Sequence, residues 1–473
     1  MDAVDQAALV AKGDVSPLEL LEAAIERIEQ IDLVLNAVVI RWFDHARETA
    51  GSASLASGPL RGVPFLLKDL FATYAGQRIS NGNVALKNAN LTADADTTLV
   101  GRFRDAGLVI AGRTNSPELG SVPTTEPIAW GATHNPWDIT RTPGGSSGGA
   151  AAAVASGMVP LAHASDGGGS IRIPASCCGL VGLKPSQGRI TLGPVRDESG
   201  LGVELCVSRT VRDTATLLDA VRGPGVGDTV IAPEPLRPYV DELGSAPGQL
   251  RIGILDHHPQ GGHCDLECTE AAQAVGTLLE SLGHHVEVAW PQALEDTTFG
   301  SKFGSIWSTN MGVARKRIEE LVGRPLADDE FEPMNLAQAD FAEHFSSIDF
   351  ALALSDVAAY RRALQSWWSD GWDLLLTPTL AEVPLKLGTI ANNLQHPMDA
   401  MARSGQFVPF TPPFNTSGQP AISLPSQWTD GGLPLGVQLV AAYGREDVLI
   451  RVASQLEHAQ PWAQRTPDIP LQA

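Results

Sequence analysis

The sequence has few of the features that mark secreted, membrane or nucleic-acid-binding proteins. Its 473 residues include only five cysteines, which excludes a disulfide framework and predicts a reducing compartment, the cytoplasm. We find no apolar run of transmembrane length, and the first residues are acidic where a signal peptide is basic. Lys and Arg total 33 against 54 Asp and Glu, so the net charge of -21 disfavours nucleic-acid and membrane partners.

The bulk composition is that of a folded, turn-rich chain. Hydrophobic residues make up 43% and charged residues 18%, and the 47 glycines and 33 prolines predict many turns. Length alone would predict about three domains. Because no repeat, low-complexity tract or linker divides the sequence, we instead expect a single domain spanning residues 1–473.

Alternating helical and apolar segments predict the fold class. Ser16, Pro17 and Glu19 form a helix-start signature, and apolar residues then recur at helical spacing to residue 31. Short apolar runs lie at 63–67, 108–111, 159–162, 252–255 and 374–377, with helical stretches at 97–106, 211–222 and 269–282. This alternation is typical of an α/β fold with a central twisted mixed β-sheet sandwiched between α-helices. We expect residues 260–405 to form a helical, Trp-rich insertion that lines much of a substrate pocket.

The segment 143–186 is rich in glycine, so its backbone is free to approach a ligand closely. The consecutive amides of Gly167, Gly168, Gly169 and Ser170 can converge on one anion, as the tetrahedral intermediate of acyl transfer requires. Ser170 ends this nest and is well placed as a nucleophile. A phosphate-binding loop is the alternative, but the Walker pattern has a lysine directly after its last glycine, whereas Ser170 is followed by Ile171 and Arg172.

A serine nucleophile needs a base. His163 is the only histidine between residues 135 and 256, and its place at the end of an apolar run is typical of a core residue. Lys68 ends the apolar run that begins at Gly62, so burial could lower its pKa enough for it to act as a base. The same position also suits a lysine that extends its amine into water, and Ser146 suits a structural serine in a Gly-rich turn.

Other interpretations stay open on these residues alone. Gly144, Ser146 and Gly148 fit the nucleophile-elbow spacing of an α/β-hydrolase esterase, with His458 as base, although residues 136–143 make a poor preceding strand. A non-catalytic protein could use the same loop to bind an anion. Five side chains of metal-ligand type lie close together in the sequence: His257, His258, His263, Cys264 and Cys268. Their spacing matches no zinc-binding pattern, so we expect neither a metal nor a cofactor.

Several ordered sequence blocks resemble the amidase signature family. They are Gly144-Gly145-Ser146-Ser147-Gly148-Gly149, the 24-residue spacing from Ser146 to Ser170, the continuation Ile171-Arg172-Ile173-Pro174, and Gly182-Leu183-Lys184-Pro185. Segments around Lys68-Asp69, 112–115, 135–137 and 414–421 match in the same order, whereas 225–405 matches weakly. The resemblance implies a single amidase-signature domain with its catalytic core in residues 60–222 and 406–460.

The resemblance also implies a role for each matched position. Ser170 corresponds to the nucleophile, Ser146 to a bridging serine on a cis peptide bond, and Lys68 to a base that begins neutral. Gly167, Gly168 and Gly169 correspond to the oxyanion hole. Residues that would support this loop through hydrogen bonds and charge pairing are Ser147, Asp166 and Arg172.

The residues around the loop are similar to those of particular family members. Asp166 to Ser170 and Pro174 to Gly179 resemble members that hydrolyse nylon-oligomer cyclic dimers or aryl acylamides, and other members cleave carbamates such as urethanes. We therefore expect a small amide or carbamate substrate and a monomer or homodimer. Ile173 stands where glutamine-donating complexes usually carry Gln, and Gly167 replaces a commoner Thr. Trp130 and Trp307 are candidate pocket-lining aromatics.

Overall fold

The computed structural model describes residues 1–196, 201–390 and 392–469. Its strands are β1 (Val38–Arg41), β2 (Pro64–Lys68), β3 (Val109–Thr114), β4 (Leu161–Asp166), β5 (Val181–Lys184), β6 (Val203–Ser208), β7 (Arg251–Ile254), β8 (His285–Val288), β9 (Leu374–Pro378), β10 (Ala421–Trp428) and β11 (Pro434–Ala441). Its helices are α1 (Ala3–Lys12), α2 (Pro17–Leu35), α3 (Phe43–Gly51), α4 (Val84–Ala89), α5 (Thr98–Asp105), α6 (Gly148–Ala155), α7 (Arg172–Cys178), α8 (Val211–Val221), α9 (Leu266–Ser281), α10 (Phe299–Val322), α11 (Pro333–Ala342), α12 (Ser347–Ser369), α13 (Asp399–Phe407), α14 (Pro412–Thr416) and α15 (Glu446–Ala459). Among the described residues, no helix combines the length and hydropathy needed to cross a lipid bilayer.

In the described part of the chain the strands form two neighbouring mixed sheets. The smaller sheet has the order β1-β3-β2, with β2 parallel and β1 antiparallel to β3. The larger sheet has the order β4-β6-β5-β10-β11-β9-β7-β8, and its only parallel pairs join β7 to β8 and to β9. Helices flank both sheets, so the predicted mixed α/β fold is confirmed.

The two sheets meet where β2 packs against β4, and this junction positions the candidate site. Both strands are buried along their whole length. At the end of β2 the backbone amide of Lys68 donates to Nδ1 of His163 on β4 at 3.2 Å. A side chain therefore occupies the place that a backbone acceptor would hold in one continuous sheet.

Local sequence signals explain how the flanking helices begin and pack. The Ser16 hydroxyl accepts from the amide of Glu19, and the Glu19 carboxylate accepts from the amide of Ser16, which confirms the predicted start of α2. Every residue of α6 is buried. At Gly149 in this helix, a Cβ atom would lie 2.4 Å from the backbone nitrogen of Asn115, so only glycine permits the close packing of α6 beside β3.

The predicted apolar runs coincide with β2, β3, β4, β7 and β9, and the predicted helical stretches coincide with α5, α8 and α9. Residues 260–405 are mainly helical, but they also contribute β8 and β9 to the larger sheet. The sequence did not reveal β8 because this edge strand is exposed or half-buried throughout and therefore has no apolar run.

Candidate active site

Lys68 ends β2 with no exposed surface. Its Nζ donates to Ser146 Oγ at 2.7 Å and to Ser165 Oγ at 2.9 Å. Burial lowers the pKa of Lys68 to about 7, against the opposing negative charges of Glu204 and Asp166. Of the two positions considered for this lysine, the structure has the buried one, in which the amine can be neutral near pH 7.

Ser146 follows a cis peptide bond with Gly145, in the turn that leads into α6. Ser146 and Ser170 line the same cavity. The next residue, Ser147, connects the two chain segments: its amide donates to the Ser170 carbonyl at 3.3 Å, and its hydroxyl donates to the Ser165 carbonyl at 3.2 Å. Among the described residues Lys68 and Ser146 are hydrogen-bonded, whereas no hydrogen bond joins the hydroxyls of Ser146 and Ser170.

Asp166 and Arg172 form a fully buried, bidentate ion pair behind the glycine loop. Arg172 Nε and Nη2 each donate to the Asp166 carboxylate at 2.9 Å. Burial alone would raise the pKa of Asp166, but the Arg172 guanidinium outweighs it and the pKa falls to about 2. The same carboxylate accepts from the amides of Gly169 at 2.7 Å and Ile171 at 3.2 Å. The ion pair thereby holds the backbone on both sides of Ser170.

Distant parts of the chain complete this cluster. Asn415 accepts from Arg172 Nη2 at 2.6 Å and donates to Asp166 Oδ1 at 2.8 Å. Gln438 on β11 accepts from Arg172 Nη1 at 2.6 Å, and the Thr411 hydroxyl donates to the Gly168 carbonyl at 2.7 Å. Sequence reasoning noted Asn415 only as a landmark and missed the other two, because nothing in their local sequence indicates a buried arginine.

The glycine loop differs from the expected anion nest at Gly169. The Gly169 amide is bound to Asp166, whereas within the described residues the amides of Gly167, Gly168 and Ser170 have no hydrogen-bond acceptor. Gly169 has φ +134°, and a Cβ atom there would lie 2.3 Å from Thr411 Oγ1. Gly169 therefore shapes the loop, and the loop amides without an acceptor among the described residues are those of Gly167, Gly168 and Ser170.

Two further buried side chains beside Lys68 were not singled out as site residues from the sequence. Ser165 supplies the second hydrogen-bond partner of the amine; its only sequence signal is its place between an apolar run and Asp166. His163 Nε2 lies 3.4 Å from the Glu204 carboxylate, which is longer than a good hydrogen bond, and Glu204 pairs with Arg196. Burial lowers the pKa of His163, so this residue is a neutral core histidine, as its apolar surroundings predicted.

Two cavities meet at Ser170. The first, here called the apolar cavity, has a volume of about 420 Å³ and is lined mainly by apolar side chains, among them Phe299, Phe303 and Trp307. The second, here called the α10 cavity, has a volume of about 490 Å³ and is lined on one side by α10. Trp307 lines both cavities, as predicted. Trp130 lines neither; its indole donates to Ser80 at 2.9 Å beneath the Lys87 amine.

The alternative sites are not assembled in the described residues. His458 is exposed in the last turn of α15, while Ser146 is bonded to Lys68. Residues 136–143 form turns and isolated bridges instead of the strand that a nucleophile elbow needs, so the esterase interpretation is wrong. Near residue 260, His257 lies beside Asp256 and His263 beside Asp265, and the described part of the chain contains no group of three metal-ligand side chains.

Comparison with known proteins gives one family. The Amidase family model matches residues 19–450. The chain is 44% identical to the 6-aminohexanoate-cyclic-dimer hydrolase of Paenarthrobacter ureafaciens, over 99% of this chain and 96% of that protein. A solved structure of 6-aminohexanoate cyclic dimer hydrolase complexed with substrate is similar with a TM-score of 0.96 and 43% identity, over 99% of this chain and 98% of that one. A bacterial aryl acylamidase of the amidase signature enzymes has a TM-score of 0.86 and 29% identity, over 98% and 97% of the two chains. The chain therefore belongs to the amidase family and is a hydrolase of carbon–nitrogen bonds.

Proposed function

We propose that the protein is a serine amidohydrolase that cleaves a small amide or carbamate through an acyl-enzyme. Ser170 is the nucleophile, Ser146 relays protons, and Lys68 is the base. The observation that carries this proposal is the buried 2.7 Å contact between Lys68 Nζ and Ser146 Oγ. Through this contact the neutral amine of Lys68 can accept a proton from the hydroxyl of Ser146, which lines the same cavity as Ser170.

The hydrogen bonds of Lys68 support the direction of proton transfer. A neutral amine has two N–H bonds and one lone pair, and Ser165 Oγ accepts one N–H at 2.9 Å. When Lys68 is neutral, its lone pair can then accept the Ser146 hydroxyl proton, so the 2.7 Å hydrogen bond that protonated Lys68 donates reverses its direction. Ser146 gives its proton to Lys68 as it takes the proton of Ser170, whose oxygen attacks the substrate carbonyl carbon. The two serine hydroxyls come into contact for this step, a tightening that is usual when substrate fills a site.

The same groups complete the reaction. The amides of Gly167, Gly168 and Ser170 stabilise the oxyanion, and each such donor is typically worth about 3 to 4 kcal/mol. The carbon–nitrogen bond then breaks as protonated Lys68 returns its proton through Ser146 to the leaving nitrogen. Water then attacks the acyl-enzyme and gives a proton to Lys68 through Ser146. Lys68 returns that proton through Ser146 to the Ser170 oxygen, which leaves as a hydroxyl.

The substrate class rests on the cavities and on the relatives. The aromatic side chains of the apolar cavity suit an aryl or aliphatic acyl group, and most of them belong to residues 260–405, which we propose as the pocket wall. The similarity to cyclic-dimer hydrolases and to an aryl acylamidase supports a small amide. A carbamate presents an equivalent carbonyl carbon bonded to nitrogen.

The five free thiols support the expected cytoplasmic location.

Labelling with a fluorophosphonate, followed by peptide mapping, tests the nucleophile. We expect the label on Ser170, and we expect Ser170→Ala to abolish both labelling and turnover. Ser121→Ala, which changes a serine elsewhere in the apolar cavity, is the matched control and should retain both. A label on Ser146 would overturn the assignment, and an unlabelled protein that binds phosphate tightly would be an anion-binding protein. Turnover of a panel of substrates then defines the substrate class; the panel contains anilides, linear aliphatic amides, nylon oligomers and aryl carbamates.

A further inference from the structure

The α10 cavity contains Arg317, which has no partner among the described residues. We propose that this cavity binds the amine part of the substrate and that Arg317 selects amine parts bearing a carboxylate several bonds from the scissile nitrogen. The preferred substrates are then N-acyl ω-amino acids. This inference rests on the proposed function, because it takes Ser146 as the group that protonates the leaving nitrogen.

Ser146 determines which cavity holds the amine part. The leaving nitrogen must receive a proton as the carbon–nitrogen bond breaks, and Ser146 Oγ delivers it. Ser146 and Ser165 line the α10 cavity, whereas the apolar cavity reaches Ser170 without either of them. The amine part therefore extends into the α10 cavity, and the acyl part extends into the apolar cavity.

Within the part of the chain that the structure describes, the charged side chains of the α10 cavity leave one positive charge without a counter-ion. Of the described lining residues, Asp166 pairs with Arg172, and Arg196 pairs with Glu204. Arg317 has no ion pair or hydrogen bond among the described residues. The protein as a whole carries a net charge of -21, so an unpaired guanidinium in a cavity that leads to the nucleophile favours an anionic ligand group. The two oxygens of a carboxylate can accept hydrogen bonds from the two parallel N–H groups of the Arg317 guanidinium.

The helix places Arg317 on the cavity side. Residues of α10 that line this cavity recur at three- and four-residue spacing, the pattern of one helix face; they include Trp307, Asn310, Met311, Ala314, Arg317 and Ile318. Two neighbouring cations do not line the cavity. Arg315 pairs with Asp340 at 2.9 Å, and Lys316 is exposed, as Arg317 is, but lies outside the cavity lining. Lys316 therefore provides a control for a change of charge alone.

The helix also sets the length of the amine part. Trp307 lines the cavity beside Gly167, and Arg317 lies ten positions further along α10. That separation covers about 15 Å of helix axis, and a helical arginine leans back towards the start of its helix. An α-carboxylate, next to the scissile nitrogen, is too short to reach the guanidinium. A carboxylate at the end of several methylene groups is long enough.

Four amides that share a six-carbon acyl chain test the preference. They are N-hexanoyl-6-aminohexanoate, the neutral N-hexylhexanamide, N-hexanoylglycine, and the reversed adipic acid monohexylamide, which carries its carboxylate on the acyl part. We expect the first to have the lowest KM, by about fivefold, the effect of one exposed ion pair. Arg317→Gln should remove this difference with little change in kcat, and Lys316→Gln should preserve it.

Binding to the Ser170→Ala variant separates this inference from the proposed function, because calorimetry of the same amides needs no turnover. A preference for the 6-aminohexanoate amide that Arg317→Gln abolishes would support Arg317 as the carboxylate site, whatever the identity of the nucleophile. Equal dissociation constants for the anionic and neutral amides, tighter binding of the reversed amide, or an equal loss in Lys316→Gln would overturn it. Failure of Ser170 to be labelled would count against the proposed function alone.

Discussion

Lys68 Nζ and Ser146 Oγ lie 2.7 Å apart in a site where Lys68 is completely buried. An ammonium ion there would lose its hydration, and for this reason the pKa of Lys68 falls to about 7. The amine can therefore accept a proton from Ser146 near neutral pH. If catalysis requires the transfer of the Ser146 proton to Lys68, activity should follow the fraction of Lys68 that is neutral.

Acylation should slow at acidic pH. Below the pKa of Lys68 the amine is protonated, so kcat/KM should fall about tenfold per pH unit on the acidic side and level off above about pH 7. Stopped-flow measurement of acylation with an activated anilide isolates this step from acyl-enzyme hydrolysis. A flat acylation profile between about pH 5 and 9 would contradict the role of Lys68 as the base.

The stability of the protein should depend on the protonation of Lys68. An unfolded lysine has a pKa of about 10.4, so between about pH 7 and 10 the unfolded chain binds one proton more than the folded protein at Lys68, and stability rises with pH. Lys68→Met removes this contribution. In urea titrations the free energy of unfolding of the wild type should therefore rise, relative to the variant, by about 1.4 kcal/mol per pH unit. Parallel stability curves would mean that Lys68 remains charged when folded.

The buried ion pair of Asp166 and Arg172 should be needed for both stability and activity. Asp166→Asn leaves the Arg172 guanidinium buried beside a neutral amide and weakens the acceptor of the Gly169 amide. We expect the free energy of unfolding to fall by about 3 to 5 kcal/mol, as for other broken buried pairs, and turnover to be lost.

A second buried ion pair provides the control for this prediction. Glu446 and Arg189 pair at 3.0 Å and line neither cavity at Ser170. Glu446→Gln should lower stability by a similar amount, while the activity of the protein that remains folded should stay near the wild-type value. Equal losses of specific activity in both variants would mean that the Asp166 pair affects activity only through stability.

Sequence patterns predicted those parts of the structure that depend on neighbouring residues. The apolar run before Lys68 is strand β2, and the glycine-rich segment is the loop that holds Ser170. Other features depend on contacts between distant residues. Gln438 binds Arg172 across 266 positions of sequence, and the Gly169 amide turns to Asp166 because Arg172 fixes that carboxylate. No local pattern encodes such contacts.

Two glycines of the loop should differ in how well they tolerate a Cβ atom. At Gly169, a Cβ atom would lie 2.3 Å from Thr411 Oγ1 and 2.6 Å from Ile173, so Gly169→Ala must displace the Ser170 backbone; we expect kcat/KM to fall at least a hundredfold, the effect of losing one oxyanion donor. At Gly167, a Cβ atom would meet only the movable edge of Trp307 at 3.3 Å, so Gly167→Ala should lose less than about tenfold. Circular dichroism checks that both variants are folded. The reverse ranking would mean that the Gly167 backbone, not that of Gly169, controls the position of the nucleophile.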